Sequence, residues 1–513
     1  MSGLLEHYHF RDDEYDADRW HREYGAAEHD RHATLRYNDV ANAGPPARPL
    51  DFPSPKVFRG KRVNLRARDH KSGTIHNLKS VLLQSRNRSR YNSNESGSDT
   101  AYLMTKKISK TVYGCVNLCI VLKRINKSSN GIHSENALPQ LERRQDDDNY
   151  VPSVEWESTD HQVAIKISEW KRVHALRGKH FEDPVKEIAA MQLLGNYHKH
   201  FAGTLEVLQD DKCLYTVMPY LGGGDIYGRL VRFMGYRSIR SENGKGTTGF
   251  DEGSARIWFR QLLKAINLFQ KKGVCHRDIC LENILLDNDD NLCLIDPGTS
   301  LRIPYTDSET GGVGDVSAGT SRRLMLYPGQ GGKLLYAAPE IISKEPEIDA
   351  FATDLWSVGI VLFVMTVGLA PFRWAHPSDK RYASISSGGL KQVVKELKIS
   401  VSPEVCDLLQ GFFWADPQKR LTLAEIVQHP WVQEKELISR STTLPHKPSV
   451  SQSFTSRGYS FGSLNLSKKI RGKKKTSNNS CGIVRAKQNA ESHSTHAEYD
   501  RHHFKLNNDA TWG

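Results

Sequence analysis

The stretch Cys275-His276-Arg277-Asp278-Ile279-Cys280-Leu281-Glu282-Asn283-Ile284-Leu285-Leu286 decides how this chain is read. It sets an acid at 278 and an amide at 283 just before an apolar run. Working outward, Asp296-Pro297-Gly298 comes thirteen residues after Asn283, and Ala338-Pro339-Glu340 stands further on. Upstream lies Val163-Ala164-Ile165-Lys166. Taken alone, that tetrapeptide is most often just a strand. The order and spacing of the four segments carry the information.

The chain has 513 residues. At roughly 150 residues per domain this allows about three globular units, or one two-lobed unit with long tails. Hydrophobic residues make up 38%, a little below the usual share of a globular domain, so part of the chain folds and part is expected not to. The net charge of +12 is unevenly placed: residues 1–100 carry +3 and residues 438–513 carry +9, which leaves 101–437 near neutral. The basic character belongs to the tails, and it argues against nucleic acid as the main partner. Eight cysteines include no C-x-x-C pair and match neither zinc spacing nor a disulfide scaffold. Reduced thiols point to a cytoplasmic or nuclear setting. No apolar signal region follows Met1. Leu355 to Phe372 is 18 residues without a charge, open to reading as a buried core helix or a membrane span. The motifs favour the core helix, so no membrane span is expected.

Residues 1–100 read as a disordered region. Pro45, Pro46, Pro49, Pro53 and Pro55 break any helix, and 84–99 is too poor in apolar residues to offset its ordering entropy. From 101 strand-like runs begin, interrupted by a polar insert over 126–160. A helix is expected over Pro184–Leu194, with apolar residues at 185, 188, 191 and 194. A second polar insert near 238–249 precedes an amphipathic helix over 254–271. Residues 438–513 read as a disordered, basic, Ser-rich tail.

The four segments resemble the eukaryotic protein kinases, where V-A-I-K, H-R-D-x-x-x-x-N, D-F-G and A-P-E occur in this order. The His429-Pro430-Trp431 ending is most similar to calcium/calmodulin-type Ser/Thr kinases. The resemblance covers about residues 105–435. It implies an α+β, bilobal fold: a small, mostly antiparallel β lobe with one key helix over 101–221, and a mainly helical lobe over 222–437. ATP would bind between them. Phosphoryl transfer needs positioning and charge neutralisation rather than covalent participation. Lys166 would hold the α/β-phosphates and pair with Glu187, with Glu182 as the rival partner. Asp278 would accept the proton of the substrate hydroxyl. Asn283 and Asp296 would hold Mg2+ through hard oxygen ligands. Met218 would sit behind the adenine, Leu221 would offer it backbone, and Asp225 would reach the ribose or a substrate arginine. Ser109, Gly114, Val116, Ala164 and Leu285 complete the implied nucleotide site. Arg420 would pair with Glu340.

The sequence departs from the family pattern at four places. The phosphate-covering loop reads Ser109-Lys110-Thr111-Val112-Tyr113-Gly114-Cys115-Val116, with only the last of three glycines kept. Pro297 stands for the D-F-G phenylalanine. Cys280 stands for the catalytic-loop lysine. Gly332-Lys333 stands where Ser/Thr kinases usually have Gly-Thr. Three function classes therefore remain open: an active kinase for protein substrates, a pseudokinase scaffold, and a nucleic-acid or nuclear interaction protein driven by its basic tail. For the first, a Ser/Thr substrate in a basic context is expected, with Asp225 and Glu282 meeting its arginines. Lys333 is expected to stand in for the missing catalytic lysine. Thr299 to Gln330 is expected to be mobile and regulatory, with Thr306, Ser308, Thr310, Ser317, Thr320 and Ser321 as candidate acceptors and Arg277 as the phosphate partner. None of them sits at the family's usual distance before A-P-E, where Gly329 and Gln330 fall, which leaves absence of the phosphate switch open. The run 468–475 is open to reading as a nuclear import signal or a solvated charge run. The oligomeric state is left open.

Overall fold

The computed structural model describes residues 34–84, 100–125, 155–196, 198–240 and 249–434, the side chains of 235–240 excepted. These belong to one compact unit, Met1–Ile438. The tail with its 468–475 run, the insert over 126–154, residues 241–248 and the segments 1–33 and 85–99 lie outside the described residues. The fold is α+β, with a β-rich small lobe and a helical large lobe.

Seven strands close the small lobe into a barrel, in the order β1-β2-β3-β4-β5-β7-β6. They are β1 (Phe58–Arg68), β2 (Ile75–Gln84), β3 (Thr100–Lys110), β4 (Gly114–Arg124), β5 (Trp156–Glu169), β6 (Glu206–Gln209) and β7 (Cys213–Pro219). Most neighbours are antiparallel; β1 meets β6 and β5 in parallel and so closes the ring. This corrects the expectation of disorder for residues 34–84, the described part of 1–100 that precedes β3. Arg62-Val63-Asn64-Leu65-Arg66-Ala67-Arg68 alternates basic or polar with apolar residues, the period of a half-buried strand. The outward arginines hid that period behind a linker-like composition. Ala67, Leu78 and Val81 join Trp156 in a buried cluster at one end of the barrel. Trp156–Asp160, read as the end of the insert, belongs to β5.

In the large lobe the 18-residue helix Ala350–Val367 is apolar enough for a membrane span, yet it is buried along its length. Asp349 caps it by accepting from Phe351 N and Ala352 N. Phe259, Leu263, Trp356, Phe363, Phe412 and Trp431 are among the side chains of the surrounding core. Arg420 and Glu340 form a buried, two-armed ion pair, with both N–O distances 2.7 Å. Residues 238–240, read as the start of an insert, end the helix Ile226–Arg240. The segment 299–330 is not loose. It carries the short strands Leu301–Arg302, Tyr305–Thr306, Val313–Gly314, Ser321–Arg322 and Met325–Leu326.

Candidate active site

Lys166 sits in the middle of β5, paired on one side with Val116 of β4 and on the other with Thr216 of β7. The helix Pro184–Leu194 faces it. Asp183 caps that helix by accepting from Val185 N at 2.9 Å, and Pro184 takes the first turn, where no N–H is needed. Ile188, Met191 and Leu194 anchor the helix in apolar contacts, which turns Glu187 toward the strand. Lys166 Nζ lies 2.8 Å from both Glu187 oxygens and 3.3 Å from Asp296 Oδ1. Burial works against a charge on Lys166, but Asp296 and Glu187 outweigh it and raise its pKa. Burial also raises the Glu187 carboxyl, with Lys166 opposing. Glu182, the rival, does not pair with Lys166; its backbone carbonyl accepts from the Tyr113 hydroxyl.

Backbone constraints build the loop that follows. Val274–Cys275 pairs with Leu301–Arg302. Asp354, at the start of the core helix, accepts from His276 N at 2.6 Å and Arg277 N at 2.8 Å. Arg277 and Asp296 both adopt the left-handed region, with φ 67° and 62°. Such conformations cost about 1–3 kcal/mol and persist only where surrounding bonds hold them. Here Thr299 donates to His276 O, and a His276 Nε2 contact to Ile295 O ties the two loops.

Asn283 Nδ2 donates to Asp278 Oδ2 at 2.8 Å and to its backbone oxygen at 2.9 Å. That leaves Asp278 Oδ1 buried without a hydrogen-bond partner. Burial, reinforced by Asp296, pushes the Asp278 carboxyl up to about 7, against the pull of Lys333 and Asn283. A buried acceptor with no donor is costly unless something fills it. A substrate hydroxyl is such a donor. Burial opposes ionisation of Asp296, yet Lys166 outweighs it and holds that carboxyl below its usual range. Asp296, a third exposed, and the Asn283 amide oxygen are hard donors of the kind Mg2+ takes. The residues fit the ion.

Lys333 Nζ lies 2.8 Å from Glu282 Oε1 and 3.5 Å from Cys280 Sγ. Burial works against its charge, but the carboxylates of Glu282 and Asp278 help to outweigh it and its pKa is raised. Gly332 makes this approach possible. Its φ is 69°, and a Cβ there would come within 2.4 Å of Arg277 O and 2.9 Å of Asp278 Oδ1. The Lys333 contact also occupies one oxygen of Glu282.

On the barrel side, Ala164 and Lys166 share a face of β5 by the two-residue period. Val116, opposite Lys166, and Met218, opposite Ala164, lie on that face. Val116, Ala164, Met218, Leu221 and Leu285 are all half-buried, an apolar surface left partly open, as a planar base requires. Asp225 pairs across with Leu285, and its Oδ1 accepts from Gly228 N at 2.6 Å, capping the next helix. Ser109 is exposed and pairs with Val116 in the β3–β4 ladder.

The β3–β4 turn differs from a phosphate-cradling loop. Thr111 N donates to Gly114 O at 3.1 Å, closing the turn. Gly114 is required by packing: a Cβ there would fall 2.1 Å from Ile167 O. Tyr113 is buried with its hydroxyl on Glu182 O. The roles of Tyr113 and Asp354 were not legible in the sequence, since both depend on partners 69 and 77 residues away. Pro297 is buried between Asp296 and Gly298.

A family model for the protein kinase domain matches residues 151–432. Among curated proteins, the chain is 30% identical over 274 residues to a putative CBL-interacting protein kinase 13 of Oryza sativa subsp. japonica, covering 53% of this chain and 46% of that one. It is 31% identical over 296 residues to the CBL-interacting serine/threonine-protein kinase 16 of Arabidopsis thaliana, covering 57% and 56%. It is 27% identical over 274 residues to the maternal embryonic leucine zipper kinase of Xenopus laevis, covering 53% and 36%. The chain thus spans about half the length of the curated relatives it matches, or less.

Proposed function

The chain belongs to the protein kinase family, and on that premise we propose that it transfers the γ-phosphoryl group of ATP to Ser or Thr hydroxyls of protein substrates. The observation that carries this is the buried, unpartnered Oδ1 of Asp278, beside the paired Lys166 and Glu187. Lys166, kept cationic by two carboxylates, holds the α/β-phosphates. Asn283 fixes one oxygen of Asp278 and leaves the other to orient the substrate hydroxyl and take its proton. Asn283 and Asp296 would hold Mg2+, which when bound neutralises phosphate charge. Val116, Ala164, Met218, Leu221 and Leu285 sandwich the base, while Ser109 of β3 and Gly114 of β4 flank the turn beside it. Lys333 supplies the cation that Cys280 lacks, from the opposite wall of the site.

The finer substrate class is Ser/Thr in a basic context. Asp225 and Glu282 are the carboxylates that would meet a substrate arginine, and Lys333 competes for Glu282. The localisation proposal is a cytoplasmic enzyme imported to the nucleus through 468–475; a tail-reporter fusion that stays cytoplasmic removes import. The activity is tested by phosphorylating a peptide library with wild type and Asp278→Asn. Loss of signal in the variant supports transfer, and a basic consensus supports the substrate class. Equal signals make the chain a scaffold instead.

A further inference from the structure

Residues 34–57 form a strap outside the machinery described so far, and its bonds can be followed in order. Arg36 pairs with Glu425. Arg322 donates to Leu35 O at 2.6 Å, and the Thr306 hydroxyl donates to Ala43 O. After the short helix Tyr37–Ala41 come turns and bends over 42–45, and then isolated bridges at Ala47 and Leu50. Ala47 N donates to Leu324 O at 3.0 Å, Leu326 N to Ala47 O at 2.9 Å, and Leu50 N to Arg302 O at 3.1 Å. The Arg302 guanidinium donates to Asp51 O. Further along, Lys56 N donates to Gln192 Oε1 at 2.7 Å and Gln192 Nε2 to Lys56 O at 2.8 Å. Val57 packs against Ile188, Val207 and Leu214, and β1 begins at Phe58.

The prolines explain the strap's form. Pro45, Pro46, Pro49, Pro53 and Pro55 lack an N–H and hold φ near −65°, which keeps the chain extended and lowers the entropy lost on docking. In this proline-rich part the N–H groups of Ala47 and Leu50, placed between prolines, and of Lys56, just after the last, make the bonds.

The later half of the strap, from Leu50 to Lys56, touches the two parts that a phosphoryl-transfer site must align. Arg302 lies in the strand paired with Val274–Cys275, which leads directly into Asp278. Gln192 lies on the helix that carries Glu187. Only Phe52 to Ser54 and Pro55 separate the Asp51 and Lys56 contacts, and two of those residues are prolines, so the tether has little slack. The segment 299–330 also satisfies Arg277 internally, through Thr299 O and Gly329 O. The Thr306 and Thr320 hydroxyls are engaged as well, with Ala43 O and Ser317 O.

We propose that residues 34–57 are an in-chain clamp, which positions the Glu187 helix against the segment 299–330 so that alignment does not depend on a charged modification there. As regulation of the site, this rests on the kinase reading. The test slackens the tether without removing a bond: a four-residue Gly-Ser-Gly-Ser insertion between Ser54 and Pro55 of the full chain. Gln192→Leu, which removes both bonds to Lys56, is the second variant. Deuterium exchange in the helix Pro184–Leu194 and in 299–306 should accelerate about tenfold in both variants, although Gln192 touches only the helix. kcat should fall about tenfold with KM for ATP within about twofold of wild type. Phosphatase treatment should leave the wild-type rate unchanged. Exchange unaltered by the insertion, or altered in Gln192→Leu only in the helix, overturns the clamp. Exchange is read without ATP, so this failure is distinguishable from a failure of the kinase reading.

Discussion

The ammonium of Lys333 lies 3.5 Å from the thiol of Cys280, two residues from different loops that meet beside Asp278. Cys280 is buried and its thiol is pushed well above the usual range, chiefly by burial, so it stays neutral at ordinary pH. The cation in this corner belongs to Lys333. Lys333→Met should lower kcat by about 10²-fold, or ~2.7 kcal/mol of transition-state stabilisation, with a much smaller effect on ATP affinity. Cys280→Lys combined with Lys333→Thr should recover much of that loss. Near-normal kcat in Lys333→Met would sink the substitution. The same variant frees Glu282, so library profiling should show a stronger arginine preference.

The pH dependence follows from Asp278. Its carboxyl, held up to about 7 mainly by burial, accepts a proton only when ionised. A kcat profile should therefore rise between pH 6 and 8 and level off above. Lys333 pulls that pKa down, so Lys333→Met should shift the profile to higher pH. A profile flat from pH 5.5 to 8.5 speaks against Asp278 as the proton acceptor.

Asp278 should also carry a stability cost. Its folded pKa lies above the ordinary 3.8, so the protonated form favours the fold and stability is lost as pH rises from about 4 through 7. Asp278→Asn cannot ionise. At pH 8 it should be more stable than wild type by the order of 1 kcal/mol, with the difference vanishing near pH 4. Thermal melts at the two pH values check this; a less stable variant at pH 8 contradicts it.

The Arg420–Glu340 pair is buried and two-armed. Glu340→Ala leaves a buried guanidinium without its counter-ion and should cost about 3–5 kcal/mol. Chemical denaturation should show this as a lowered midpoint. A loss under ~1 kcal/mol would mean that the Arg420 bonds to the Trp414, Ala352 and Ala415 carbonyls suffice.

Gly114→Ala tests whether that glycine serves packing. Its Cβ would overlap Ile167 O, so β4 and β5 must part. We expect about 1–3 kcal/mol of lost stability and weaker nucleotide binding by calorimetry, because Val116 and Lys166 sit on the same two strands. Unchanged stability with weakened binding would instead assign Gly114 to the phosphates.

The sequence by itself determined the family and the two-lobed fold, and it named Lys166, Glu187, Asp278, Asn283 and Asp296, which the structure brings together. Those features are written in local signals: Asp278 and Asn283 five residues apart in one loop, Glu187 one turn before the apolar contact Met191, and an apolar run long enough for a core helix. What only the tertiary structure decided are the relations between distant segments. Glu282 is half taken by Lys333, Gly114 answers to Ile167, and Asp354 holds the backbone of His276 and Arg277. The N-terminal prolines read as part of a disordered region because their N–H-free form is equally that of an undocked chain. Their value as a strap appears only when Arg302 and Gln192, 251 and 136 residues from their partners, supply the hydrogen bonds. Local propensity carries no information about such partners, since it ends within a turn or a strand of the residue that expresses it.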